Sequence, residues 1–488
     1  MSMLTVLDPT VWAPPAWASP SARYLEGEAL RIGSGWQLLA HSALVEDRRG
    51  ITRVVTPPTR GGPPVVRPEH PWESRMVFGP SIRRDEKNGR FRMWYGTLPP
   101  MNPDGSMPPY LLLYAESGDG HAWEKPLRDA IPHGTSARTN IVYRGPNNNA
   151  SAFAIVVDAA ERDPGRHYKM VYKGGRDKNG ILGEELAFSP DGLRWTPFEG
   201  NPVMPHRHDC NLNLLFDSTR QVWTAFVRPY AFSSGIWPRP RAHHRRRVAI
   251  CESTDLVHWS KVRNVLGPEE GDENEFDNIA VIPWGDVLVG VVGIFEEAQD
   301  FSVQRSHTEL AFSVDGRRWE RIPGRQHFIS PTGRTGDFDS DSVNCSSAAF
   351  VDQGSGDLTL HYNGYANDGT GSSEYTAIGT VRVPRDRFVE QRAGGEPGHL
   401  LTREVLLPGS RLEINCRSEG QIKVELAEYP GQAIAGYSLD DCDIITGDHS
   451  SHVVSWRGGK SDLSALRGRP VYIRFLLQDA GLWALRVS

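Results

Sequence analysis

LAFSPDGLRW, residues 186–195, is the stretch on which the fold turns. It reads as an apolar strand, then Ser-x-Asp-Gly to turn the chain, then an aromatic that packs back. Asp and Gly suit a tight turn because Asp bonds nearby backbone and Gly accepts positive φ. The same unit recurs as YAESGDGHAW ending at Trp123, AICESTDLVHW ending at Trp259 and LAFSVDGRRW ending at Trp319. A weaker fifth copy, AIGTVRVPRDRF, ends at Phe388. Subtracting aromatic positions gives intervals of 72, 64, 60 and 69 residues, room for four short strands and their loops. Asp119, Asp191, Asp255 and Asp315 are therefore read as scaffold.

Upstream of each aromatic lies a second repeated layer, an apolar strand and a turn leading into an aromatic-rich strand. MVFGPSIRRDEKNGRFRMWYG and NLNLLFDSTRQVWTAFVRPY are two of its five copies. Between Glu73 and Glu390 no apolar period of 3.6 residues is sustained, so few helices are expected. The pattern predicts an all-β chain, a five-bladed β-propeller with a C-terminal β-sandwich. The expected division is an N-terminal arm over 1–72, a propeller catalytic domain over 73–398 and a sandwich over 399–488. The arm is rich in Pro and Trp and is expected to wrap the propeller or edge its mouth. The sandwich rests on LEINC, IKVELAEY, HVVSW, VYIRFLLQ and WALRVS, short apolar runs between polar turns.

Composition narrows the function. The chain has 488 residues, 54 basic and 60 acidic side chains and a net charge of −6, so no global cationic field exists to hold nucleic acid. RPRAHHRRRV, residues 239–248, is the densest basic run, but it lacks interleaved aromatics and is read as a solvated loop. The N-terminal residues lack a basic and then apolar leader, and no stretch reaches about 18 apolar residues, so no membrane partner and a cytoplasmic location are expected. The five cysteines never form a CxxC pair. They are expected as core side chains in a reduced compartment, without structural zinc.

The chain resembles the five-bladed propeller glycosidases, especially proteins related to glycoside hydrolase family 32. HPWE at 70–73, RFRMWYG at 90–96, the SxDGxxW turns, RDRFVE at 385–390 and GYSLDDCDIITGD near the C-terminus carry that resemblance. It implies sugar substrates and two or three carboxylates at a central funnel. Two family signatures are missing, the WMNDPNG nucleophile motif and a Glu-Cys acid motif, so activity on fructosides does not carry over. Arg162–Pro164 matches the Arg-Asp-Pro string, yet it fills the hairpin slot that Asp85–Gly89 fills in the first blade, and is read as a surface turn.

In a propeller the first strand of each blade lines the axis, so residues entering those strands converge. Glu73, Asn149, His208 with Asp209, Glu275 with Asp277, and Asp339 with Asp341 occupy these lead-ins. Glu73 lies 50 residues before Trp123, Asp209 50 before Trp259, Asp277 42 before Trp319 and Asp339 49 before Phe388. Carboxylates around one funnel suit glycoside chemistry, which needs one protonated and one ionised group. Asp209 is the expected nucleophile or base, Glu275 the acid, and Asp277 or Asp339 a modulator. Glu73, Arg75, Asn149, Arg207, His208 and Asp341 are the expected substrate contacts. The alternating His206, His208 and Asp209 could instead ligate a metal, but strand alternation points Asp209 away from the two imidazoles, and no metal or other cofactor is expected. Two alternatives stand beside hydrolysis or transglycosylation: a non-hydrolytic reaction on a small metabolite, and sugar binding without turnover.

Overall fold

The computed structural model describes residues 10–13, 29–73, 76–98, 108–146, 149–174, 183–204, 208, 212–229, 246–269, 275–297, 304–345, 350–352, 356–367 and 374–488. Among them there is no α-helix, only short 3-10 turns such as Pro164–Arg166, where Asp163 accepts the Gly165 amide at 2.8 Å on the surface. No described helix is long and apolar enough to cross a membrane.

Five antiparallel sheets make the propeller. Blade 1 runs Met76–Arg84, Phe91–Leu98, Leu111–Ser117, Trp123–Glu124. Blade 2 runs Ser151–Val157, Tyr168–Lys173, Glu184–Ser189, Thr196–Pro197. Blade 3 runs Asn213–Asp217, Val222–Val227, Val248–Ser253, Arg263–Leu266. Blade 4 runs Glu275–Trp284, Val287–Glu297, Gln304–Ser313, Glu320–Arg321. Blade 5 takes Phe350–Asp352, Asp357–Asn367 and Glu374–Pro384 from one part of the chain and its outer strand, Thr59–Arg60, from another.

Why these residues turn where they do is visible in the repeat. Asp191 Oδ1 accepts the amides of Leu193 and Arg194 at 2.9 Å each, Ser189 Oγ accepts the Gly192 amide at 2.8 Å, and Trp195 Nε1 donates to the Gly192 carbonyl at 3.1 Å. Asp119, Asp255 and Asp315 accept the amides two and three residues on in the same way, at 2.8–2.9 Å. The pivot needs positive φ, which Gly120, Gly192 and Gly316 supply at +77, +73 and +69°. Blade 3 puts Leu256 there at +63°, a left-handed cost of about 1–2 kcal/mol set against a side chain buried between blades 2 and 3.

Each gap between blades is filled by its own apolar cluster. Trp94, Tyr114, Phe153 and Tyr172 fill the first gap, Val171, Leu186, Trp223 and Cys251 the second, and Phe226, Phe276 and Ile279 the third. Phe312, Tyr362 and Val381 fill the fourth, and Tyr95, Val351 and Ile378 close the ring. The described cysteines Cys251, Cys345, Cys416 and Cys442 are buried and unbridged. Burial pushes the first three thiols up to about 12 and Cys442 to about 11, which suits inert core side chains.

The N-terminal residues serve several bodies. Val11–Trp12 lies parallel to the inner strand of blade 3, with Trp12 buried. Leu30–Arg31, Gln37–Leu38, Val45–Arg49 and Thr52–Val55 pair instead with strands near the C-terminus. That C-terminal unit is built on two 18-residue strands, Leu412–Tyr429 and Pro470–Val487, around a core that includes Trp456 and Phe475. The N-terminal segment joined to it also bonds blade 4, where the Ser42 amide donates to Glu320 Oε2 at 2.7 Å.

Candidate active site

Strand alternation brings the starts of the inner strands, the ends of the second strands and the starts of the third strands to one edge of every blade. That shared edge is the mouth, and the Asp turns lie at the opposite edge.

Across blades 3 and 4 the mouth carries an ion-pair array. Glu275 Oε2 lies 3.2 Å from Arg246 Nε, Asp277 Oδ1 lies 3.4 Å from Arg246 Nη1, and Asp277 also pairs with Arg228. Glu275 and Asp277, two residues apart and so on one side of the strand, reach the same arginine, with a β-bulge between Phe276 and Asn278 beside them. Arg246 belongs to the basic run expected in solvent, but its side chain is only 19% exposed and is spent on these carboxylates.

Asp339 and Asp341 lie elsewhere, on a cavity of about 1410 Å³ between blades 4 and 5 that Arg60, Arg305, Arg334 and Tyr375 also line. Asp339 is buried against Arg60 and accepts from Tyr362 Oη at 2.7 Å. Burial raises the Tyr362 phenol, and the Asp339 carboxylate adds to it. Asp341 accepts from Ser340 Oγ at 2.6 Å. The expected carboxylates thus fall into two groups, one paired with Arg246 and one on the Arg60 cavity.

Two of the expected sugar contacts are occupied internally. Glu73 is fully buried, accepting from Tyr95 Oη at 2.6 Å and from the amides of Glu69 and His70 at 2.8 and 3.0 Å, with Lys125 Nζ at 2.9 Å. Asn149 Nδ2 donates to the Lys173 carbonyl at 3.0 Å. Asp209, Arg75, Arg207 and His206 lie outside the described residues.

His208 is buried at the mouth. Its Nδ1 stands 3.1 Å from Glu184 Oε2, close but not aligned for a hydrogen bond, and its Nε2 has no hydrogen-bond partner among the described residues. Glu184 opens the third strand of blade 2. Burial pushes its carboxyl above the usual range, with His208 opposing. On the other face of that strand, Glu185 accepts from Tyr172 Oη, which stands 2.9 Å from Tyr143 Oη. Burial lifts the Tyr143 phenol to about 12.

Sequence reasoning passed over Glu184, Glu185 and Glu309. Aligning the third strands on their Ser-x-Asp turn would have found two of them. Glu185 and Glu309 share a repeat position that blades 1 and 3 fill with Leu113 and Ala249. A buried carboxylate where the pattern expects an aliphatic side chain marks a site rather than scaffold.

No protein-family model matches the chain, and no curated protein matches it. Among solved structures it is similar to a thermostable family-43 glycoside hydrolase, at 14% identity over 64% of this chain and 91% of that one, TM-score 0.43. An N-acetylgalactosamine deacetylase from F. plautii, in complex with blood group B trisaccharide, matches at 16% identity over 70% and 97%, TM-score 0.47. A glycosyl hydrolase from Bacteroides ovatus matches at 15% identity over 68% and 95%, TM-score 0.44. At these values the likenesses carry no argument about chemistry, and a kinship to family 32 in particular is not shown.

Proposed function

We propose that this protein cleaves or transfers a glycosidic bond in a small-molecule or oligosaccharide substrate at the propeller mouth, with Glu184 and His208 as its proton-delivering pair. The observation that carries the reading is their arrangement. A carboxyl favoured in its protonated form by burial faces one nitrogen of an imidazole whose other nitrogen is unpartnered among the described residues. In the reaction, His208 Nε2 releases its proton to the leaving oxygen while Nδ1 takes the proton from Glu184, so the pair gives up one proton in all. Asp209, the next residue in the chain, is the nucleophile or the base for water. Glu275, expected as the acid, has Arg246 beside it, and a guanidinium is the wrong neighbour for a proton donor. Glu275 and Asp277 are instead assigned to orienting Arg246 and Arg228 toward sugar hydroxyls.

The test is turnover of a panel of aryl and natural glycosides by wild type, Glu184→Gln, His208→Asn and Asp209→Asn. Loss of general acid catalysis costs about 10²–10⁴ in kcat. That loss should be larger for poor leaving groups than for 4-nitrophenolate in the Glu184 and His208 variants, and equal for both in Asp209→Asn. Turnover by His208→Asn that matches wild type on a poor leaving group would sink the assignment.

A further inference from the structure

The structure holds a cluster the glycosidase reading does not use. Glu296 near the end of the second strand of blade 4, His307 in the third, and His327 on the segment leading to blade 5 bring their ligating atoms within 4.8 Å of one another. We propose that these three side chains bind one divalent ion of the zinc class, tying the outer half of blade 4 to that segment.

Three observations support it. The first is donor type, since two imidazoles and a carboxylate form a borderline N/O set suited to zinc and its neighbours. Second is proximity: the three ligating atoms lie within 4.8 Å of one another and Glu296 Oε1 is 2.9 Å from His307 Nδ1, so small side-chain shifts bring them to the separation of about 3.0–3.5 Å that ligands about 2.0–2.2 Å from one ion require. Third is the shell behind the ligands. His307 is 3% exposed and its Nε2 has no hydrogen-bond partner among the described residues, yet Glu309 Oε1 waits 3.6 Å away, with the other carboxylate oxygen, Oε2, held by Arg321 Nη2 at 2.8 Å. With an ion on Nδ1, Nε2 carries the proton and Glu309 is the acceptor that a metal-bound imidazole normally has.

His327 supplies the moving part. Its ring is stacked on that of His307, centroids 3.6 Å apart and planes 16° from parallel, with Nδ1 3.0 Å from Ser330 Oγ. An ion bound in the ring planes requires His327 to turn out of this stack. It is exposed and Glu296 is half-buried, so an ion has a path in from solvent.

The experiment uses the full chain, stripped with chelator and dialysed, then titrated with Zn²⁺ by calorimetry and with Co²⁺ by visible absorption. One ion per chain is expected, with cobalt bands in the visible and a zinc-dependent rise in melting temperature. His327→Gln and Glu296→Gln should each abolish the cobalt bands and the zinc-dependent rise while leaving the metal-free melting temperature near that of wild type. Glu309→Gln should weaken zinc binding about 10–100-fold. Absence of saturable binding, or binding that persists in His327→Gln and Glu296→Gln, overturns the proposal. So does binding that falls in His206→Ala instead, because it would place the ion on the His206–Cys210 stretch.

Discussion

Replacing Lys125 with methionine keeps the length of the side chain but leaves the Glu73 carboxylate without its countercharge. Glu73 is wholly buried and Lys125 side-chain exposure is 6%, so water cannot take over. Removing one partner of a buried pair costs about 3–5 kcal/mol. A cooperative unit of roughly 300 residues unfolds with an entropy of about 0.6 kcal/mol per kelvin, so the melting temperature should fall by about 5–8 °C. Glu73→Gln should cost less, because Lys125 keeps Glu69 at 3.2 Å and the Arg67 carbonyl at 2.6 Å. The double variant should then melt above Lys125→Met alone. Scanning calorimetry of the four proteins measures the coupling, and glycoside turnover per folded molecule should be unchanged in all of them. A Lys125→Met protein melting within about 1 °C of wild type, or a double variant losing the sum of both single effects, would refute the structural role of Glu73.

Three further outcomes are expected. Because burial raises the Glu184 carboxyl, its protonated form should carry activity below that raised value, so kcat/KM should fall as pH climbs through it. Glu184→Gln should lack that limb in a pH–rate profile. The amides of Ala122 and His121 hold Asp119 below the usual carboxylate range, and in Asp191 and Asp255 burial pulls upward but is outweighed by bonds to Arg194 and His258. A depressed native value stabilises the fold above the unfolded value of about 3.9 and is lost as pH falls through the native one. The Asp119→Asn, Asp191→Asn, Asp255→Asn protein should therefore lose less stability than wild type between about pH 4 and pH 2 in acid titrations followed by circular dichroism. Gly379→Ala would set a Cβ 2.4 Å from Phe338 Cζ and 2.9 Å from Tyr362 Cζ, and overpacking of this kind costs about 1–3 kcal/mol. Denaturant unfolding should show that loss, and an unchanged midpoint would mean Phe338 can move aside.

The propeller was legible in the sequence because its turn is local. Ser, Asp, Gly and Trp within seven residues satisfy one another, so the pattern survives wherever the strand goes. Lead-in carboxylates were legible for the same reason, at offsets of 42 to 50 residues before each blade's aromatic. Their partners were not. Nothing along the chain announces that Arg246 reaches Glu275 across a bulge, or that Lys125, 52 positions on, buries Glu73. The pairing of residues 30–55 with strands near the C-terminus was equally hidden, since the arm's Pro-rich composition describes its turns and not the sheet it joins. Glu184 was not legible because it opens a third strand, whereas the lead-in pattern covers only residues entering the inner strands.

The outer strand of blade 5 comes from Thr59–Arg60, and this orders the life of the chain in time. A ribosome makes that strand long before Glu374–Pro384, the neighbour it pairs with. Until residue 384 emerges, the early strand has no edge to join and the ring stays open. Blades 1 to 4 can gather as they appear, but the seam can be sealed only near the end of synthesis. In that interval unpaired strand edges face solvent or the chaperones that meet a nascent chain. A truncation ending just before residue 374 should therefore yield an aggregating product rather than a smaller, soluble propeller.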